Sequence, residues 1–457
     1  MNAKNNISKF LNDFEQYGNK LAIIWKYASY SYSHIITRID YWQSKLNFIE
    51  SGTIVGLEGD FSPEAISILF VLISKNSIIV PLDINHSSKN EKKYEIAQIQ
   101  VLIRIKSEND IEFISKISIT PLNTLFKLLK EKDVPGLVLF TSGSSGEPKG
   151  AIHDFSKLLS KFEIKRNALC TINFLLFDHW GGLNTLFHIL SNGGTVVILE
   201  NRMPEYVCEL IEKYKVELLP TSPTFLNMLI LSRAYERKDI SSLKIISYGS
   251  EPMPENLLKH LNLVFPNIKL QQTYGLIELG VMRSKSEENG SLWVKIGGDG
   301  YQTRIVDGIL QVKSDSAMLG YLNAESPFTN DGWFITGDSV EVKGEYLKIL
   351  GRKSEIINVG GEKVFPQEIE NVILEIPEIS DVMVYGEDNR FTGKIVCAKI
   401  FYQGAKEKSE IIKEIKIHCR THLQQFKIPM KFLFVDKSFE NDRYKKTRNI
   451  NLSHENN

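Results

Sequence analysis

Leu137-Val138-Leu139-Phe140-Thr141-Ser142-Gly143-Ser144-Ser145-Gly146-Glu147-Pro148-Lys149-Gly150 begins with an apolar run and empties into hydroxyls and glycines. The run from Leu137 to Phe140 reads as a buried strand. Thr141, Ser142, Gly143, Ser144, Ser145 and Gly146 form the loop after it, and Pro148, Lys149 and Gly150 close that loop. Small residues let backbone N–H groups approach an anion closely, and the hydroxyls add donors. Lys149 supplies a point charge. This is the chemistry of holding a polyphosphate. The spacing differs from the P-loop of nucleotide triphosphatases. Gly143 and Lys149 are six apart, Pro148 intervenes, and Gly150 follows the lysine.

Outward from this stretch the chain keeps an α/β rhythm. Trp25, Tyr27, Tyr30 and Tyr32 suggest a short hairpin. Ile54 to Leu57 reads as a strand, and Gly59-Asp60-Phe61-Ser62-Pro63 as a turn into a helix carrying Ala65, Ile68, Leu69 and Leu72. Ile78 to Asp83 is the next strand, and Val101 to Ile105 another. Strand, helix, strand at this spacing predicts a parallel sheet covered by helices. Downstream, helices are expected over Ser156 to Arg166, Leu183 to Leu190 and Pro204 to Tyr214. Strands are expected over Val216 to Leu219, Leu243 to Tyr248 and Ile268 to Thr273. Ligands of open α/β sheets sit at the carboxyl ends of strands, so Thr141, Gly249 and Tyr274 are expected around one pocket.

From about Gly290 the texture changes to short strands and turn pairs such as Asp331-Gly332, and from Gly351 to an α+β pattern. The expected fold class is therefore α/β. A large N-terminal region of helix-covered, mostly parallel sheets, with a small β-subdomain, occupies 1–351. A small, mobile α+β C-terminal domain occupies 352–457. Lys+Arg and Asp+Glu both number 55, which leaves no electrostatic footprint for nucleic acid. The longest apolar run, Ala65 to Ile73, is too short to span a bilayer. The four cysteines show no metal-ligand spacing and read as reduced thiols, and the first 20 residues hold no signal-peptide apolar region. A cytoplasmic location is expected; the oligomeric state is not set by the sequence.

The stretch at 137–150 resembles the phosphate loop of the adenylate-forming superfamily: acyl-CoA synthetases, peptide-synthetase adenylation domains and luciferases. Further stretches carry the same resemblance in order. Thr273-Tyr274-Gly275-Leu276-Ile277-Glu278 is similar to the motif in which the tyrosine stacks on adenine and the glutamate holds Mg²⁺, with Ile277 in place of the usual Thr or Ser. An aromatic face suits a purine, and a hard carboxylate suits Mg²⁺ bridging phosphates. Tyr248-Gly249-Ser250-Glu251-Pro252 resembles the adenine-flanking turn. In Gly332-Trp333-Phe334-Ile335-Thr336-Gly337-Asp338 the resemblance puts Asp338 on the ribose hydroxyls, which a carboxylate accepts from with both oxygens.

Gly351-Arg352-Lys353-Ser354 resembles the following motif, in which the arginine touches the nucleotide and the residue two further on is a hinge, here near 352–355. Gly360-Gly361 would let backbone approach a pantetheine arm. Tyr444-Lys445-Lys446-Thr447-Arg448 resembles the C-terminal Gly-Lys-x-x-Arg pattern, with Tyr444 replacing the glycine. Lys445 is then the catalytic candidate, and Lys446 the second.

The resemblance implies two half-reactions: a carboxylic acid and ATP give acyl-AMP and pyrophosphate, and a thiol then takes the acyl group. The cofactors implied are ATP, Mg²⁺ and CoA, or the phosphopantetheine of a carrier protein. Thr141, His179, Glu278 and Lys445 are the expected catalytic residues. His179, in Phe177-Asp178-His179-Trp180-Gly181-Gly182, is the candidate substrate contact. That segment favours an acid other than an amino acid, and with it an acid–CoA ligase. The alternatives are a stand-alone enzyme that loads a carrier protein, and a nucleotide-binding protein without catalysis.

Overall fold

The computed structural model describes residues 3–116, 121–142, 147–298 and 300–436. Three seven-stranded sheets and one five-stranded sheet make up its β-structure.

The first sheet is built on the opening stretch. Strands Ile54–Gly59, Ile78–Asp83, Val101–Ser107 and Gly136–Ser142 are parallel, and Asp110–Ser115 closes one edge antiparallel. At the other edge Pro148–Asp154 folds back on Gly136–Ser142, with Thr141 opposite Lys149. The strands on either side of the loop thus pair antiparallel, where the sequence predicts a strand only before it. Gly143, Ser144, Ser145 and Gly146 lie outside the described residues. The short strand Gly320–Tyr321 pairs with Ile152 and Ala151 beyond it.

In the second sheet, strands Lys269–Gln272, Ile245–Tyr248, Leu218–Thr221, Cys170–Asn173, Thr195–Ile198 and Leu21–Trp25 run parallel, edged by Ala28–Ser31. The predicted hairpin is present, but Tyr32 belongs to the helix that follows it.

Helices Pro63–Ser74 and Trp180–Ser191 are sandwiched between these sheets. Ser62 accepts from the Ala65 N–H at 3.1 Å, and Pro63 takes the first helical position, where its missing N–H costs nothing. The helix is then apolar on nearly every side, as a helix covered on both faces must be. Phe10, Phe14, Phe70, Phe155, Phe162 and Phe187 interlock beside it, edge to face. Each large apolar side chain buried this way contributes about 1.5–3 kcal/mol. Helix Trp180–Ser191 starts three residues earlier than the apolar pattern indicates, because His179 caps it.

The third sheet is antiparallel throughout and runs from Tyr274–Leu276 to Tyr301–Val306, so the change of texture expected from about Gly290 begins earlier, at Tyr274. Strands Phe334–Lys343 and Tyr346–Arg352 form its longest hairpin and set Asp338 opposite Arg352. The fourth sheet, from Ile357–Val359 to Lys431–Val435, packs on helices Pro366–Ile373 and Lys408–His422 around its own core of Ile369, Val384, Ile400 and Ile415. Among the described residues no helix is long and apolar enough to cross a membrane.

Candidate active site

Two neighbouring parallel strands of the second sheet finish level, with Tyr248 opposite Gln272. The chain leaves them as Gly249-Ser250-Glu251 and Thr273-Tyr274-Gly275. The Thr273 N–H and hydroxyl both donate to the Tyr248 carbonyl, at 2.7 and 3.0 Å. This lock puts Thr273 so close to Gly249 that a Cβ on the glycine would lie 2.5 Å from Thr273 Oγ1 and 2.7 Å from its carbonyl oxygen. Only glycine fits. Ser250 follows with φ +70°, a left-handed conformation uncommon for a residue with a side chain. Glu251 Oε1 accepts from the Thr224 N–H at 2.7 Å and so holds the start of helix Pro223–Ser232. Gly275 is held equally tightly, 2.8 Å from the Gly280 carbonyl oxygen at its Cβ position.

Asp338 is buried opposite this edge. The Tyr274 hydroxyl donates to its Oδ2 at 2.5 Å, and Arg352 Nε lies 2.7 Å from its Oδ1. The Asp338 N–H donates to Thr336 Oγ1. Burial pushes the Asp338 carboxyl above its ordinary range against the pull of Arg352. Burial, and then the Asp338 charge, push the Tyr274 phenol well up, so the tyrosine stays a neutral donor. A carboxylate with one oxygen on a phenol and the other on a guanidinium is held in one orientation.

A second group forms where the hairpin meets the third sheet. The Tyr321 hydroxyl donates to Glu278 Oε1 at 2.5 Å, and Lys149 Nζ lies 5.7 Å from the centre of the Tyr321 ring. Burial, then the Glu278 charge, raise the Tyr321 phenol. Thr141, Lys149, Tyr321 and Glu278 thus stand together, with one carboxylate oxygen of Glu278 not taken up by Tyr321. A hard oxygen donor beside an ammonium and hydroxyls fits Mg²⁺ and phosphate oxygens. The side chain of Ser142 lies outside the described residues.

A cavity of about 1350 Å³ opens beside the first group. Ser250, Glu251, Thr273, Tyr274, Gly275, Asp338 and Arg352 line it. The far wall comes from the fourth sheet and its helices, including Gln367, Glu370, Leu374, Ser380 and Gln403. Asn227 Nδ2 donates to the Ser380 carbonyl at 3.0 Å, and Asn256 Nδ2 to the Leu374 carbonyl at 2.8 Å, which ties that wall down. Of the three residues expected around one pocket only Tyr274 lines this one; Thr141, Gly249, Lys149 and Glu278 are not in the lining. Nor are Gly360 and Gly361, which form the exposed turn between strands Ile357–Val359 and Glu362–Val364.

His179 does not line the cavity either. Its Nδ1 accepts from the Gly181 N–H at 3.1 Å, capping a helix, while Trp180 is buried against Phe155. Lys445 and Lys446 lie outside the described residues. Tyr321 was missed as a site residue; its signal was the ordered Gly320-Tyr321 that pairs with the strand carrying Lys149.

Residues 10–322 match the family of AMP-binding enzymes, and residues 368–448 match the AMP-binding enzyme C-terminal domain. An indoleacetate–CoA ligase of Aromatoleum aromaticum is 29% identical over 337 residues, 66% of this chain and 64% of that ligase. A 2-succinylbenzoate–CoA ligase of a Geobacillus species is 27% identical over 369 residues, 75% of this chain and 74% of its own length. The crystal structure of the anthranilate CoA ligase AuaEII in complex with anthranoyl-AMP superposes with a TM-score of 0.79 at 18% identity, covering 96% of this chain and 94% of that one. At that identity the likeness is one of fold.

Proposed function

The chain belongs to the AMP-binding enzyme family, and from that premise we propose that it is an acid–CoA ligase: it activates a small carboxylic acid with ATP to acyl-AMP and passes the acyl group to the thiol of CoA. The observation that carries this reading is the pairing of two polar groups. Tyr274, Asp338 and Arg352 suit a ribose and its base. Thr141, Lys149, Tyr321 and Glu278 suit a polyphosphate. The named relatives act on aryl and arylalkyl acids, which supports an acid that is not an amino acid.

In the first half-reaction a carboxylate oxygen attacks the α-phosphorus of ATP and pyrophosphate leaves. Asp338 accepts from the ribose hydroxyls while Tyr274 and Arg352 hold its two oxygens. Lys149 and the Thr141 hydroxyl take up charge on the departing phosphates, and Lys445 bridges the carboxylate and the α-phosphate. Positioning and electrostatics supply most of the rate. Glu278 would hold Mg²⁺, which when bound neutralises phosphate charge. In the second half-reaction the thiol attacks the acyl carbon and AMP leaves. Gly360-Gly361 does not line the cavity, and on this reading the part beyond Arg352 turns about Ser354 for this step, withdrawing Lys445 and bringing the glycine turn to the thiol path.

The test is mass spectrometry of products after incubation with ATP, Mg²⁺, CoA and a panel of aryl, fatty, hydroxy and amino acids. An acyl-CoA with equimolar AMP is expected. Acyl-AMP without thioester would replace CoA by a carrier-protein phosphopantetheine as acceptor. ATP bound but never cleaved with any acid would overturn the enzymatic reading in favour of nucleotide binding alone.

A further inference from the structure

Helix Lys408–His422 turns Ile411, Ile415 and Cys419 into the core of the fourth sheet. Beside that apolar stripe run Glu414, His418 and His422, four residues apart and therefore stacked on one side of the helix. The stripe faces the turn that follows helix Pro366–Ile373, where His418 Nε2 lies 2.8 Å from Glu375 Oε2. The rings of His418 and His422 are 4.3 Å apart, centroid to centroid. One ligating atom from each of Glu375, His418 and His422 falls within 4.8 Å of the other two. Nitrogen and oxygen ligands sit about 2.0–2.2 Å from zinc, so any two are at most about 4.4 Å apart. The three groups need only a small rotation to share one ion. His422 Nδ1 is 2.9 Å from the His418 carbonyl oxygen, the kind of outer contact that fixes a tautomer and leaves Nε2 to the metal.

We infer that Glu375, His418 and His422 form a binding site for a transition-metal ion of the zinc class, with water completing its coordination. Two imidazoles and one carboxylate suit such an ion, and poorly suit Mg²⁺ or Ca²⁺, which take oxygen ligands. The place of the site gives it a consequence. Leu374, Glu375, Ile376 and Pro377 line the large cavity, and Asn256 holds the Leu374 carbonyl from the opposite side. An ion here staples helix Lys408–His422 to the segment that walls the cavity, distinct from the Mg²⁺ position at Glu278.

The test uses the full chain, stripped of metal and free of nucleotide, titrated with Co²⁺ and followed by visible absorption, then with Zn²⁺ in competition. One Co²⁺ per chain, displaced by one Zn²⁺, is expected. His418→Gln and His422→Gln should each weaken binding at least about tenfold, since even an outer-shell partner is worth that much. Zn²⁺ should raise the Tm of the wild type and leave unmoved the Tm of the double variant, whose metal-free melting must match the wild type. Glu375→Gln, which keeps the side chain's size, provides the same reading if a histidine variant fails to fold. Equal Co²⁺ affinity in wild type and variants, or a wild-type Tm that Zn²⁺ does not raise, would overturn the assignment.

Discussion

Asp338 concentrates the demands of the site on one side chain. It is buried, its two oxygens are taken by Tyr274 and Arg352, and its own N–H rests on Thr336. Hydrogen bonds to a charged group contribute about 1.5–3 kcal/mol each. Asp338→Ala should therefore lower kcat/KM for ATP by about ten- to a hundredfold, measured as pyrophosphate release at limiting ATP. An unchanged value would remove Asp338 from the ribose site.

His153 tests a different property. It is fully buried in strand Pro148–Asp154, and its ring nitrogens approach the backbone of Ile277 and Ser316 without good hydrogen-bond geometry. Burial pushes the imidazole down to about 4. As pH falls below the ordinary histidine value of about 6.5, the unfolded chain takes up this proton and the folded chain does not. Stability present at neutral pH is thus lost between about 6.5 and 4, by up to about 3 kcal/mol. His153→Leu should flatten that part of the profile, read by urea unfolding at pH 7 and pH 4.5. An equally steep loss in the variant would contradict it.

At the scale of elements, the polyphosphate stretch shows both what the residues disclosed and what they hid. Leu137 to Phe140 announced a buried strand, and the small residues after it announced a turn. That the chain then returned as a strand was not legible, because Pro148-Lys149-Gly150 read as loop and His153 interrupts the apolar run. Helix Pro223–Ser232 carried a readable start, Ser222 accepting from the Phe225 N–H with Pro223 behind it, yet its apolar faces lacked periodicity. The short antiparallel strands after Tyr274 are stabilised by partners far along the chain, and local pattern cannot supply those. His179 was legible only in part: beside tryptophan and two glycines it reads as a substrate contact, and in the fold its Nδ1 also caps helix Trp180–Ser191. The turn Lys353–Glu355, with Ser354 exposed, is where the proposed rotation concentrates its φ/ψ change. Ser354→Pro fixes φ there and should slow thioester formation by about tenfold or more while sparing acyl-AMP formation. Equal slowing of both steps would place the hinge elsewhere.

Across the whole molecule, two helix-filled sheets carry the strand ends that the proposed reading puts against the nucleotide, and the third sheet contributes Asp338 and Arg352 with Glu278 in its first turn. The fourth sheet closes the cavity as a wall held by Asn227 and Asn256. On the proposed reading, the two half-reactions belong to two placements of one part. Lys445→Ala should abolish acyl-AMP formation, by at least about a hundredfold, and spare thioester formation from supplied acyl-AMP. Loss of both would contradict the rotation. The most direct measurement of the central claim follows the oxygen atoms. An acid accepted in the product screen is labelled with ¹⁸O in its carboxylate and converted with ATP, Mg²⁺ and CoA, and the AMP is analysed by mass spectrometry. If the carboxylate attacks the α-phosphorus, each AMP carries one ¹⁸O. Unlabelled AMP, or label recovered in inorganic phosphate beside ADP, would contradict activation through an acyl-adenylate.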